Sequence, residues 1–389
     1  MVKVIDLIEM KNKKVVELQK EVTEIKEVIN RVPKLVIISA SDNKAIELYM
    51  RNKVKVGNEI GVDVEILRFG KHITQEQLEK NIIDLNNTDN VDGIIVQLPL
   101  FKHLDKDRVI NLIDKDKDSD GFSYENLGMM FSGDHSHIIP CTAKSVYEML
   151  KYHNVDVVGK RVCIIGKGIH TGKSLASLLI NDGATVTVCN SKTTNMEDII
   201  RDSDIVISSV GKYGLIKPSW LKEESVLIGI GIDYINGKQQ TDYDLEDIIN
   251  NSKCKLVSNR VNSVGLGTTL FLIENTIKLC KSRLIKVIRG SDMMCNENPW
   301  NEYINNIKYD LDCTRTLNPK KPIKPNYTNS ENTIYTNQPE FIILELIDLE
   351  INKLKCNIKD LEKIKNDIYY MIKNNVDWIE VRKRIKKDN

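Results

Sequence analysis

Tyr49 and Lys53 stand four residues apart. On a helix over residues 43–60 both side chains leave the same face one turn apart. A lysine amine held there takes up and releases protons once burial and neighbours lower its pKa. Gln97 and Pro99, in Val96-Gln-Leu-Pro-Leu100, close an apolar run, the carboxyl end of a strand where open α/β sheets place their ligands. Asp120 follows in Asp118-Ser-Asp-Gly-Phe122, with Asn126 and Gly128 after it, and Pro140-Cys-Thr142 ends the unit. A different chemistry is written in Gly166-Lys-Gly-Ile-His-Thr-Gly172, set between an apolar run and a helical stretch. Glycines there let backbone N–H groups approach a phosphate. The spacing of Gly166, Gly168 and Gly172 is one residue longer than the commonest dinucleotide fingerprint. About 20 residues on, where an acid would accept a ribose hydroxyl, the chain reads Cys189-Asn-Ser-Lys-Thr193 with no acid. Ser191 and Lys192 suit a 2′-phosphate instead, and Lys167 adds a second positive charge, so NADP is expected over NAD.

These groups need elements to position them. Apolar residues spaced by three and four over residues 3–30 predict an amphipathic helix. Buried strands are expected at 34–39 and 93–97, a third strand at 62–67, and helices at 43–60 and 74–85. After a turn-rich stretch and a helix at 143–152, the alternation resumes with strands at 161–165, 185–189, 205–209 and 226–230. Helices fall at 173–181, 196–202 and 268–283. Strands alternating with helices imply parallel sheets covered on both faces, so the fold expected is α/β with two units in series, the second doubly wound and Rossmann-like. Residues 314–339, with Pro319, Pro322, Pro325 and Pro339, read as a flexible linker. Ile347, Leu354, Leu361 and Ile368 recur every seven, with Leu344, Ile351 and Ile358 between them. That is a heptad seam, fitting either a helix folded onto its own body or a coiled coil with a second chain.

Composition removes several classes of function. The 389 residues carry 56 Lys+Arg against 55 Asp+Glu, so no global positive field draws the chain onto nucleic acid or an anionic membrane. No stretch reaches the ~20 apolar residues of a membrane span. Acids at Asp6 and Glu9 disfavour a secretory or transit segment, so a cytoplasmic protein is expected. The eight cysteines are scattered with no Cys-x-x-Cys and read as reduced, buried thiols. His135 and His137 lack a third ligand nearby, so no metal is expected.

Taken in order, Tyr49-Met-Arg-Asn-Lys53, Val91-Asp-Gly-Ile-Ile-Val-Gln-Leu-Pro-Leu100, Lys117-Asp-Ser-Asp-Gly-Phe122 and Val210-Gly-Lys-Tyr-Gly-Leu-Ile216 resemble the bifunctional methylenetetrahydrofolate dehydrogenase/cyclohydrolase family over residues 2–281. The resemblance implies two α/β domains flanking a cleft, folate against the first and NADP on the second. It implies oxidation of 5,10-methylenetetrahydrofolate to the methenyl form and hydrolysis of that to 10-formyltetrahydrofolate. Carried over by residue, Lys53 is the acid/base of hydrolysis, Tyr49 packs on folate and orients the lysine, Gln97 hydrogen-bonds the lysine, and Asp120 fixes the pterin. Pro99 and Gly265 join the substrate site, and Gly211 and Ile232 join Gly166, Lys167, Gly168, Gly172, Ser191 and Lys192 as cofactor residues. The implied domains are residues 1–142 with a return helix near 268–285 for folate, and 143–267 for the dinucleotide. Residues 286–339 then form an extension and linker and 340–389 a helical tail; a homodimer is implied, with the tail a candidate contact for a protein partner.

The chain departs from the family's pattern at Ile46, where the family carries serine, at Lys167-Gly168 for Arg-Ser, and in Val261-Asn-Ser-Val-Gly-Leu266 and Gly229 to Asp233. Two alternatives stay open on that account. One is a monofunctional cyclohydrolase with a decayed cofactor site; the other is a silent folate- or nucleotide-binding subunit.

Overall fold

The computed structural model describes residues 2–134, 138–235 and 237–294. The first elements are β1 (Lys3–Ile5), α1 (Ile8–Ile29), β2 (Lys34–Ser39), α2 (Lys44–Ile60), β3 (Asp63–Arg68), α3 (Gln75–Asn86) and β4 (Gly93–Gln97). Two short helices, α4 (Lys106–Ile110) and α5 (Tyr124–Ser132), lead to α6 (Cys141–Tyr152). Then come β5 (Arg161–Ile165), a π turn over Ile169–Lys173, α7 (Ser174–Asn181), β6 (Thr185–Cys189), α8 (Met196–Arg201), β7 (Ile205–Ser208) and β8 (Val226–Gly229). The hairpin β9 (Asp233–Ile235) and β10 (Lys238–Gln240), α9 (Leu245–Asn251), β11 (Leu256–Ser258) and α10 (Val264–Met294) complete the described chain.

Two parallel sheets organise it. The first runs β3-β2-β4, and the second β1-β11-β8-β7-β5-β6. In the first, Arg68, Ser39 and Gln97 are neighbours in register at the carboxyl edge. Alternation divides the side chains between two cores: Leu35, Ile37 and Ile95 pack with α1, α2 and α10, whereas Val36, Ile38, Ile94 and Val96 pack with α3 and α4. Gln97, two residues past Ile95, therefore faces α2. In the second sheet β5 has β6 on one side and β7 on the other, so the loop after β5 opens where the strand order reverses.

Several expectations change. Residues 3–5 do not begin the first helix; they pair in parallel with β11, and Asp6 Oδ1 accepts from Ile8 N at 3.1 Å where the helix starts. The last helix starts at Val264, whose carbonyl accepts from Ser145 Oγ at 2.7 Å, and it continues to Met294. The hairpin, α9 and β11 were not expected; each is seven residues or shorter, too brief for a period to register. The proline-rich linker, the heptad segment, His135, His137, Cys295, Cys313 and Cys356 lie outside the described residues. Cys141, Cys163, Cys189, Cys254 and Cys280 are buried free thiols. Among the described residues no helix is long and apolar enough to cross a membrane.

Three long helices are clasped by one carboxylate. Glu274 of α10 pairs with Lys14 of α1 at 2.7 Å and with Lys144 of α6. Burial opposes its charge, but the two ammonium groups more than compensate and hold the carboxyl at about 2. A depressed carboxyl stabilises the fold above its unfolded value of 4.5, and that stability drains away as pH falls towards about 2. Glu274→Gln should therefore cost about 3 kcal/mol near pH 6, and the gap from the native chain should narrow as pH drops to 3. Urea unfolding at the two pH values checks this; a gap that does not change with pH sinks the clasp.

Candidate active site

Helix α2 carries Tyr49 and Lys53 on one face, as the spacing requires. Its first turns cover the carboxyl edge of the first sheet, bringing the Lys53 amine over the end of β4. Lys53 Nζ donates to Gln97 Oε1 at 2.9 Å, and Gln97 Nε2 donates to the Leu98 carbonyl at 3.1 Å. The carboxamide is thereby fixed with its oxygen towards the amine. A cis peptide joins Leu98 to Pro99, and Pro99 is exposed just past the pair.

Asp120 reaches the same place from the turn between α4 and α5. Burial raises its carboxyl, the Lys53 charge pulls it back down, Asp118 pushes it up, and a hydrogen bond from the Cys141 thiol helps hold its charged form. The turn is shaped by Asp118, whose carboxylate accepts from Gly121 N at 2.9 Å, Ser123 N at 2.8 Å and Asn126 Nδ2 at 3.0 Å. Buried Asn275 of α10 adds a clamp, donating to the carbonyls of Ser119 at 3.0 Å and Ile139 at 3.2 Å. Tyr49 stays half exposed, and its hydroxyl meets that of Tyr234 on β9, which with partial burial raises the phenol. Lys53, Gln97 and Asp120, read from three separate motifs, thus come together, with Tyr49 one helical turn from Lys53. Gly265 lies exposed in the first turn of α10 with open space where a Cβ would stand.

The glycine loop follows β5 as expected. Gly166 has φ +117°, and Gly172 comes so close behind it that a Cβ on Gly172 would stand 1.9 Å from the Gly166 carbonyl oxygen. No other residue fits either position without moving the loop. Gly168 has open space around it, Lys167 is exposed beside it, and the π turn precedes α7. At the end of β6, Asn190 Oδ1 accepts from Lys192 N at 3.0 Å, a turn that leaves Ser191 and Lys192 exposed. The third side is the loop after β7, where Gly211 packs against the carbonyl of half-exposed Ile232. Buried Asp242 ties this loop, accepting from Ser208 Oγ at 2.6 Å, Val210 N at 2.9 Å and Lys212 N at 2.6 Å. A tight backbone cradle, exposed lysines and no acid at the end of β6 fit a dinucleotide with a 2′-phosphate.

Residues 5–120 match the family profile described as tetrahydrofolate dehydrogenase/cyclohydrolase, catalytic domain, and residues 140–284 match its NAD(P)-binding domain. This chain belongs to the tetrahydrofolate dehydrogenase/cyclohydrolase family. The bifunctional protein FolD of Mycoplasma mycoides is 42% identical over 251 residues, 64% of this chain and 86% of the relative. FolD of Rickettsia bellii is 36% identical over 279 residues, 72% and 98% of the two chains. Among solved structures, the FolD methylenetetrahydrofolate dehydrogenase/cyclohydrolase of Campylobacter jejuni is 33% identical with a TM-score of 0.71, covering 73% of this chain and all of that one. The Trypanosoma brucei enzyme, solved with NADP cofactor and an inhibitor, is 31% identical with a TM-score of 0.69, covering 73% and 98%.

Sequence reasoning passed over Asp242 and Asn275, which act through loops far away in sequence. Asp118 does carry a local signal, because an Asp two residues before Asp-Gly is a turn former. In the dinucleotide half, Gly172→Ala should weaken NADP binding by about 10- to 100-fold, the effect of about 1–3 kcal/mol of overpacking. Titration calorimetry checks it on protein whose circular dichroism is unchanged; native affinity would remove Gly172 from the cradle.

Proposed function

We propose that a single folate pocket serves both reactions of this NADP-dependent methylenetetrahydrofolate dehydrogenase and methenyltetrahydrofolate cyclohydrolase, with Lys53 as the group that handles protons. The observation carrying this is the 2.9 Å bond from Lys53 Nζ to Gln97 Oε1, within electrostatic reach of the Asp120 carboxyl. Asp120 holds the polar edge of the pterin, Tyr49 packs on the folate and orients Lys53, and Pro99 and Gly265 line the pocket. Gly166, Lys167, Gly168, Gly172, Gly211 and Ile232 hold the dinucleotide, with Ser191, Lys192 and Lys167 around its 2′-phosphate.

When bound, NADP supplies the acceptor for the hydride that leaves the methylene carbon. The protein's share of that step is alignment, because the carbon needs no side chain to make it react. Oxidation leaves a cationic methenyl carbon bridging N5 and N10. Water attacks it, and Lys53 as the free amine takes the proton lost by that water. The new hydroxyl gives its proton to solvent as the C=O bond forms and the bond to N5 breaks, Lys53 returns its proton to N5, and 10-formyltetrahydrofolate leaves. Gln97 holds the amine pointed at the carbon throughout by accepting one of its N–H bonds. The intact cradle around Gly166 and Gly172 favours this reading over a cyclohydrolase that has lost its cofactor site.

Residues 1–142 with the return helix serve as the folate domain and 143–267 as the dinucleotide domain of a cytoplasmic homodimer. The heptads of the tail, spaced for a coiled coil, suit contact with a protein partner or a second copy.

Lys53→Met should lower methenyl hydrolysis at least about 100-fold, the scale of a lost general acid/base, while NADP-dependent oxidation and folate binding persist. Absorbance of the methenyl form follows both steps, and unchanged hydrolysis would refute the assignment. Cutting the chain after residue 290 should leave both activities intact and, if the heptads set assembly, lower the sedimentation coefficient by more than the lost mass explains; otherwise the dimer forms without them.

A further inference from the structure

His170 lies inside the glycine loop, yet its contacts are with the folate half. Its ring packs on Phe122, the residue that ends the Asp118–Phe122 turn, with centroids 3.8 Å apart and planes tilted by 58°. Its Nδ1 is buried with no hydrogen-bond partner. The turn that presents Asp120 and the loop that cradles the dinucleotide therefore meet through one imidazole.

We infer that His170 is the positioning residue through which the dinucleotide loop and the folate turn set each other's geometry, and that the contact holds only while the imidazole is neutral. A neutral ring can carry its proton on Nε2 and leave a bare lone pair at the buried Nδ1. A protonated ring must place an N–H there with nothing to accept it, which is the costly arrangement for a buried donor. The charges facing the ring agree. Burial lowers the imidazole pKa, Lys106 at the start of α4 lowers it further, and Asp107 and Asp118 oppose them. Asp118 already accepts from Gly121, Ser123 and Asn126. On α6, Lys144 is turned to Glu274 and Asn275, and Lys167 and Lys173 belong to the ring's own loop. Folding the loop onto Phe122 thus favours the same loop shape whether NADP or folate arrives first, and each ligand must tighten the other by the same factor.

The inference rests on the assignment of folate to the Asp120 turn and NADP to the glycine loop, and one measurement separates the two. The dissociation constant of NADP is measured on the full chain by calorimetry, with and without saturating tetrahydrofolate, at pH 7.5, 6.5 and 5.5. The native chain should show coupling of at least about fivefold at pH 7.5, falling by at least threefold at pH 5.5. His170→Ile keeps an apolar contact with Phe122 without a titrating group and should keep its coupling across the range. His170→Ala should show coupling near unity at every pH while still binding each ligand alone. Native coupling in His170→Ala, or an unaltered pH dependence in His170→Ile, overturns the role of His170. Weaker NADP binding with coupling intact overturns it as well, since the residue would then only shape its own loop. Failure of the native chain to bind either ligand would instead fault the assignment of the two sites.

Discussion

The proposed chemistry depends on holding one amine still. Lys53 is long and flexible, and a free lysine gives up roughly 2 kcal/mol of rotamer entropy when fixed in one pose. The bond to Gln97 Oε1 fixes it, and Gln97 is itself fixed because its other amide end donates to the Leu98 carbonyl. Asp120 lies within electrostatic reach of the amine. Burial favours its neutral form and the charge of the lysine its ionised form.

Around this centre the fold repeats one device. Two loops bearing site residues are each tied by a buried aspartate that accepts from several groups at once: Asp118 for the turn with Asp120, Asp242 for the loop with Gly211. A carboxylate satisfied this way supplies the acceptors a loop needs in place of a strand partner. It also leaves Asp120, the carboxylate proposed to meet folate, unspent on the backbone. A third buried aspartate, Asp92, does similar duty at the opposite end of the first sheet, where Arg31 reaches it at 2.6 and 2.9 Å and the backbone N–H of Lys34 at 2.9 Å.

Where burial is complete, the sequence was easy to read. β2, β4 and β5 occupy the residues expected of them, because runs such as Leu35 to Ile38 can only be interior strands, and partly exposed β6 is legible instead from its alternating Thr and Val. The Tyr49, Lys53 and Gly166 to Gly172 spacings were legible because helix period and βα turns are local. The rest depends on distant partners. β1 is three residues long and exists because β11 receives it, and α10 begins early because Gly267 packs against Ser145 at close range. His170 gave no signal, since its partner Phe122 is 48 positions away in another motif.

The same locality bears on cofactor choice. Lys167 offers a point charge, weaker for a phosphate than the bidentate guanidinium of the family's usual arginine. Exposed pairs of this kind contribute about 0–1 kcal/mol each, so in the proposed site Lys167 and Lys192 together would favour the 2′-phosphate by only about tenfold. What they lack in strength is offset by what is missing. At the end of β6 Asn190 stands where an NAD-selective site carries its acid; its carboxamide oxygen is spent on accepting from Lys192 N, while its backbone N–H donates to Thr193 Oγ1. A neutral side chain already committed to its own backbone neither repels a phosphate nor grips a ribose hydroxyl, so discrimination in this chain comes from the loss of the NAD contact as much as from any gain for NADP.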